Sequence, residues 1–139
     1  MVDADSIYAK LTRLDELLAV LEQARERGRA SVTSDMHLQL EVERALQVSI
    51  QICIDIGAHL VSELGLGPAD DYQGVFAALG SAGTIDSDLA DRLGDAAGLR
   101  NLLVHDYGEI DHARLWDSLG ELGDLREFAA VAERIAREG

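Results

Sequence analysis

Residues 45–61 read Ala-Leu-Gln-Val-Ser-Ile-Gln-Ile-Cys-Ile-Asp-Ile-Gly-Ala-His-Leu-Val, and this run decides the fold. It forms the middle of a helix that opens at Ser34 or Asp35, both good N-cap residues, and continues to Leu64. Gly65-Leu66-Gly67-Pro68 then stops it, because glycine releases the helix and proline cannot extend it. Leu46, Val48, Ile50, Ile52, Cys53, Ile54, Ile56 and Leu60 make the helix apolar almost all round, so every face has to be covered. In a chain of 139 residues one side can face the intramolecular core and the other a second copy. A homodimer is the expectation.

The flanking sequence is helical in both directions. Ile7, Leu11, Leu14, Leu18 and Leu21 place an apolar stripe on a first helix over Ser6–Arg27, ending before Gly28. Downstream, a short helix covers Asp71–Leu79, and Gly80-Ser81-Ala82-Gly83-Thr84 is a turn. A further helix starts from an Asp86 or Ser87 cap and reaches Val104 to Tyr107, where Gly108 breaks it. Asp111 caps a last helix carrying Leu115, Leu119, Leu122, Leu125, Phe128, Val131 and Ile135. No segment shows the period-two alternation of a strand. The expected architecture is an all-α bundle of about five helices, a single domain over residues 1–139.

Composition narrows the function. Twenty-six acidic residues against 12 basic ones give a net charge of −14. Such a surface repels phosphate backbones at long range, which disfavours a general nucleic-acid coat protein but leaves room for a small local cationic site. Of the 12 basic residues all but Lys10 are arginine. Cys53 is the one cysteine, so neither an intrachain disulfide nor a cysteine-based metal site is expected. The start of the chain lacks a secretory pattern, and its apolar runs fall short of the ~18–20 residues of a membrane span. A reduced, cytoplasmic location without membrane contact follows as an expectation.

Chemistry concentrates at the end of the helix that starts near Ser87. At 100° per residue Leu89, Leu93, Ala96, Arg100, Leu103 and Tyr107 fall on one line, a core stripe interrupted by arginine. A withdrawn guanidinium needs a carboxylate, a ligand or a solvent-filled cleft. The opposite side holds Asp91, Gly94, Gly98, Asn101 and His105. Two glycines there cost roughly 1 kcal/mol each relative to alanine, which close approach of a helix or ligand would offset. His105 lies about 140° from Arg100 on an ideal helix. The two converge only if the helix unwinds near Val104 or a second subunit completes the site. By itself a histidine near a helix end is more often a dipole partner than a catalyst, and a tyrosine on an apolar stripe is usually core.

Taken together, Arg100-Asn101-Leu102-Leu103-Val104-His105-Asp106-Tyr107 resembles the Arg-x4-His-x-Tyr motif of HEPN-domain proteins, and most of all their HepT branch. The resemblance extends to Arg44-Ala45-Leu46-Gln47, Cys53 through Leu60, Tyr72-Gln73-Gly74-Val75-Phe76 and Gly123-Asp124-Leu125-Arg126-Glu127-Phe128, in order along the chain. It implies a metal-independent ribonuclease toxin, a homodimer with no cofactor, whose RNA substrate meets Arg and His in the subunit cleft. It also implies an MntA-like nucleotidyltransferase antitoxin as partner. On that resemblance Arg100 stabilises phosphate and His105 is the acid and base. Asn101 is a candidate orienting donor, and Tyr107 takes AMP from the partner enzyme, which silences the toxin. The chemistry suits these residues. An imidazole can take the 2′-hydroxyl proton and return one to the leaving 5′-oxygen, and a guanidinium can hold two phosphate oxygens.

Other groups carry two readings each. Asp55 either supports the site, pairing with Arg100 or orienting His105, or pairs with His59 one turn on. His37 and His112 sit at helix starts with no assigned function, and Trp116 is core or subunit contact. Two alternatives to a ribonuclease stay open. One is a non-catalytic module of the same fold that binds a nucleotide or presents Tyr107 to a nucleotidyltransferase, and the other is a plain helical dimerisation protein. The charge of −14 favours the first alternative. The arginine in the core stripe and the two-glycine face argue against the second.

Overall fold

A computed structural model of the chain describes residues 2–105 and 110–139. The described residues form helices and no strand: α1 (Ala4–Glu26), α2 (Arg29–Ser34), α3 (Met36–Glu63), α4 (Tyr72–Ser81), α5 (Ser87–His105), α6 (His112–Leu119) and α7 (Leu122–Glu138). The all-α expectation holds, with seven helices where about five were expected. Two local events account for the difference. Gly28, at φ 90°, lets the chain leave α1 and re-enter as the short α2. The last helix divides at Gly120, where Gly120 and Glu121 donate to Asp117 and Ser118 in three-residue bonds. Leu115, Leu119, Leu122 and Leu125 are buried on both sides of that division, so the apolar period hides it.

Four aspartates begin helices. Asp3 accepts from the Ser6 N–H, Asp35 from His37 and Leu38, Asp71 from Gly74, and Asp111 from Ala113. Each satisfies N–H groups that a helix leaves open and meets the positive end of its dipole. Part of the acidity is therefore architectural.

α3 is the central rod. Leu46, Ile50, Cys53, Ile54, Ile56 and Leu60 are all at most 2% exposed, covered by α1, α4, α5 and α7. Along the middle of the helix Arg44, Gln47, Val48, Gln51, Asp55, Ala58 and His59 reach the surface or its margin, and Met36, His37, Leu40 and Glu41 at its start and Ser62 and Glu63 at its end are exposed. The apolar faces of this helix are thus largely absorbed inside the chain, and its composition alone does not require a second copy. By length and composition α3 would also qualify to cross a membrane, but most of that stretch is buried within the bundle. Phe76 and Phe128 meet edge to face beneath it, with ring centroids 5.6 Å apart.

The seam between α4 and α5 positions the site. Near one end Gly80 faces Ala90, and a Cβ on Gly80 would come within 2.6 Å of the Ala90 Cβ. Further along, Gln73 Nε2 donates to the Gly94 carbonyl at 3.3 Å. At the far end Tyr72 lies under Arg100. α4 and α5 thus run antiparallel in close contact, so the first turn of α4 is indexed to the last turns of α5.

Candidate active site at the end of α5

Leu89, Ala90, Leu93, Ala97 and Leu99 are the buried positions of α5, while Ala96, Arg100 and Leu103 are half-buried. The core stripe is therefore rotated from the expected line, because Ala90 turns toward Gly80 and draws α5 against α4. Arg100 sits at the margin of the core rather than at its centre.

Its surroundings are unusual for a cation. Nη1 donates to Asn101 Oδ1 at 3.1 Å, and the guanidinium carbon lies 5.2 Å from the centroid of the Tyr72 ring. Nε is buried and meets no acceptor among the described residues. Arg114, also half-buried, has Glu121 at 3.6 Å, and the exposed Arg92 has Asp124 at 2.8 Å. The Asp124 contact raises the pKa of Arg92 above its ordinary value. Arg25, Arg29, Arg44 and Arg134, which lack carboxylates among the described residues, are all exposed. Arg100 alone of the described arginines combines withdrawal from solvent with the absence of an acid.

α5 stays helical through His105, which is exposed. The helix does not unwind at Val104, so Arg100 and His105 diverge by about 140° within one chain. Asn101 is bonded to Arg100. Asp55, exposed on α3, accepts from Gln51 Nε2 at 2.8 Å, and the ring of His59 accepts from the Asp3 N–H at 3.0 Å through Nε2. Neither the Asp55–Arg100 pair nor the Asp55–His59 pair forms among the described residues. Tyr107 lies outside the described residues.

The two-glycine face is open. A Cβ on Gly94 would meet nothing within 4 Å, and one on Gly98 would make only an ordinary contact with Gln73 at 3.5 Å. Among the described residues only the Gln73 side chain of α4 reaches this face, and Leu102 beside it is 46% exposed. Elsewhere His37 and His112 are exposed, with His112 Nδ1 3.4 Å from Gln39 Nε2, and Trp116 packs half-buried against the core. Cys53 is fully buried, and loss of hydration pushes its thiol pKa up to about 12. It is inert at neutral pH. Among the described residues no group of three or more His, Cys, Asp or Glu gathers in a metal-binding arrangement.

Tyr72 is the residue the sequence did not single out for the site. It opens a short helix 28 positions before Arg100, and no spacing rule connects the two. Only the antiparallel packing of α4 on α5 brings them together.

An antiparallel helical bundle with an arginine held open near the end of one helix defines the class, and comparison with known proteins makes it specific. Residues 8–135 match the family described as Ribonuclease HepT-like, and the chain belongs to that family. It is 31% identical over 107 residues to a protein of Shewanella oneidensis named mRNA nuclease HepT, covering 77% of this chain and 80% of that one. It is 38% identical over 78 residues, 56% of its length, to the tRNA nuclease HepT of Aphanizomenon flos-aquae, and that match spans about half, 53%, of the relative. Among solved structures, the tri-AMPylated Shewanella oneidensis HEPN toxin in complex with MNT antitoxin superposes with a TM-score of 0.86 at 28% identity. That similarity covers 96% of this chain and 99% of the toxin.

Proposed function

We propose that this chain is an endoribonuclease toxin of the HepT type that cuts RNA without a metal ion, with Arg100 and His105 as its catalytic residues. The observation that carries the reading is Arg100 itself, withdrawn from water, without a carboxylate among the described residues, and with a buried Nε–H that meets no acceptor. A guanidinium kept in that state costs free energy that an incoming anion recovers. The nuclease names of the relatives and the antitoxin complex of the structural neighbour support the same reading.

The chemistry follows from the residue types. His105 takes the proton from a ribose 2′-hydroxyl, and the 2′-oxygen attacks the adjacent phosphorus. The bond to the 5′-oxygen breaks, and the protonated His105 imidazole returns a proton to that oxygen, leaving a 2′,3′-cyclic phosphate, a 5′-hydroxyl and a neutral imidazole. Arg100 stabilises the charge that builds on the non-bridging oxygens. Because α5 is intact between the two residues, Arg100 and His105 reach one phosphate when two chains place their α5 ends together. The homodimer is part of the mechanism, and the open Gly94–Gly98 face is a surface on which it can form. Asn101 orients Arg100, to which it is hydrogen-bonded, and a supporting role for Asp55, exposed on α3 and bonded to Gln51, is part of the proposal. An MntA-like nucleotidyltransferase in the same cytoplasm silences the toxin by adding AMP to Tyr107, which places a bulky anion beside the phosphate site.

The test is incubation of purified chain with RNA in excess EDTA, with analysis of the new ends. Cleavage that yields cyclic phosphate ends and is lost in Arg100→Ala and His105→Ala supports the proposal. Cleavage that EDTA abolishes, or that survives both substitutions, overturns it. The charge of −14 favours a second reading, a non-catalytic module that binds nucleotide or presents Tyr107 to its partner. That reading gains if RNA stays intact while the nucleotidyltransferase and ATP still modify Tyr107.

A further inference from the structure

We propose that Tyr72 is a positioning residue for Arg100, holding its guanidinium in place for phosphate by stacking rather than by ion pairing. The inference rests on reading Arg100 as the phosphate-binding group and adds what keeps that group both ordered and available.

An arginine near a core is ordinarily fixed by an acid, as Arg114 is by Glu121. An acid at Arg100 would compete with the phosphate for the same N–H groups and cancel the charge the reaction needs. The face of a tyrosine ring attracts a cation without neutralising it and leaves the edge donors free. The 5.2 Å separation of the Arg100 guanidinium carbon from the Tyr72 centroid lies within the ~6 Å reach of that attraction. Hydrogen bonding contributes little to fixing the side chain. Nε has no acceptor among the described residues, and the one bond made by Nη1 goes to the exposed neighbour Asn101. The ring is then the principal restraint.

Tyr72 can serve because its own position is fixed from both sides. Asp71 before it caps α4 through the Gly74 N–H at 2.7 Å, and Gln73 after it bonds the Gly94 carbonyl of α5. The ring is nonetheless 40% exposed, so its replacement leaves the core intact.

The experiment compares Tyr72→Phe and Tyr72→Leu in the full chain, with Tyr72→Met repeating the non-aromatic test should leucine lower stability. Two readouts are taken on each variant: the NMR signal of the Arg100 Nε–H, assigned by its loss in Arg100→Ala, and kcat and KM for RNA cleavage. The ring-shifted Arg100 signal persists in Tyr72→Phe and moves to the ordinary arginine position in Tyr72→Leu. In the same variants kcat falls roughly 3- to 30-fold with leucine while KM changes less, and phenylalanine restores most of it. An unmoved Arg100 signal in Tyr72→Leu, or unchanged kcat in an active protein, overturns the proposal and leaves the ribonuclease reading standing. If the chain cuts no RNA, the ribonuclease reading fails, and the NMR comparison alone decides whether Tyr72 positions Arg100.

Discussion

Gly80 of α4 and Ala90 of α5 are so close that a single added methyl on Gly80 would sit 2.6 Å from the Ala90 Cβ. That atom is fixed to the backbone and cannot rotate aside, so Gly80→Ala has to push the two helices apart. The overpacking costs about 1–3 kcal/mol, partly offset by the roughly 1 kcal/mol that alanine gains over glycine in a helix. A net loss of stability in urea or thermal unfolding is the expected outcome. Gly57→Ala meets Val75 Cγ1 at 2.8 Å on a buried β-branched side chain whose rotamer a helix restricts, so it is expected to lower stability as well.

Gly94→Ala is expected to do the reverse. A Cβ there meets nothing, so the free chain should be stabilised by about 0.5–1 kcal/mol through helix propensity. If this face meets the second copy or RNA, the same substitution lowers cleavage although the fold is firmer. Equilibrium unfolding and activity measured on one preparation separate the two effects.

These glycines show what a linear sequence reveals and what it does not. The pair at 94 and 98 is visible as a cost to α5 that close approach of a helix or ligand would offset, and among the described residues only the Gln73 side chain of α4 reaches that face. Gly80 reads only as part of a turn, since nothing in its neighbours announces that Ala90 lies opposite. Two of the aspartate caps, Asp35 and Asp111, are legible because an aspartate before an apolar-periodic run is a local signal, whereas Asp3 does not stand out and α1 begins two residues before the expected Ser6. The division at Gly120 is not, because leucines continue the same apolar period across it. At the site, Arg100, Asn101 and His105 stand out within one octet, whereas Tyr72 joins them through packing between elements distant in sequence. The all-round apolar character of α3 predicts complete coverage, and four helices of the same chain supply most of it.

Asp35 gives a pH-dependent contribution of known sign. The Leu38 N–H, with His37 and Arg27, holds its carboxyl below the ordinary value of 3.8 against a smaller opposing effect of desolvation. A carboxyl lowered in the folded state stabilises fully above its unfolded pKa and loses that contribution as pH falls through the folded one. The benefit of Asp35 over Asp35→Ala is therefore constant near neutrality and fades below about pH 3.8. Thermal melts of both proteins across that range, with Asp35→Ser retaining most of the cap, provide the check.

Cys53 supplies the opposite sign at the other end of the scale. Its thiol is raised from 9.0 to about 12 by burial, so the unfolded chain releases this proton first as pH rises. The folded state then loses up to about 1.4 kcal/mol per pH unit between those values, an order-of-magnitude slope for one proton. Cys53→Ser or Cys53→Ala should flatten that dependence. In the native protein, thiol reagents should label Cys53 only as fast as the bundle opens.

The central claim is that Arg100 of one chain and His105 of another serve one phosphate, and mixing inactive variants tests it most directly. Arg100→Ala and His105→Ala are purified, shown to be folded and inactive alone, then unfolded together and refolded at equal concentration. Half of the resulting dimers carry one of each, and one of the two sites in such a dimer has both groups. About a quarter of the parent's RNA cleavage should return. A mixture as inactive as its components would contradict the shared site.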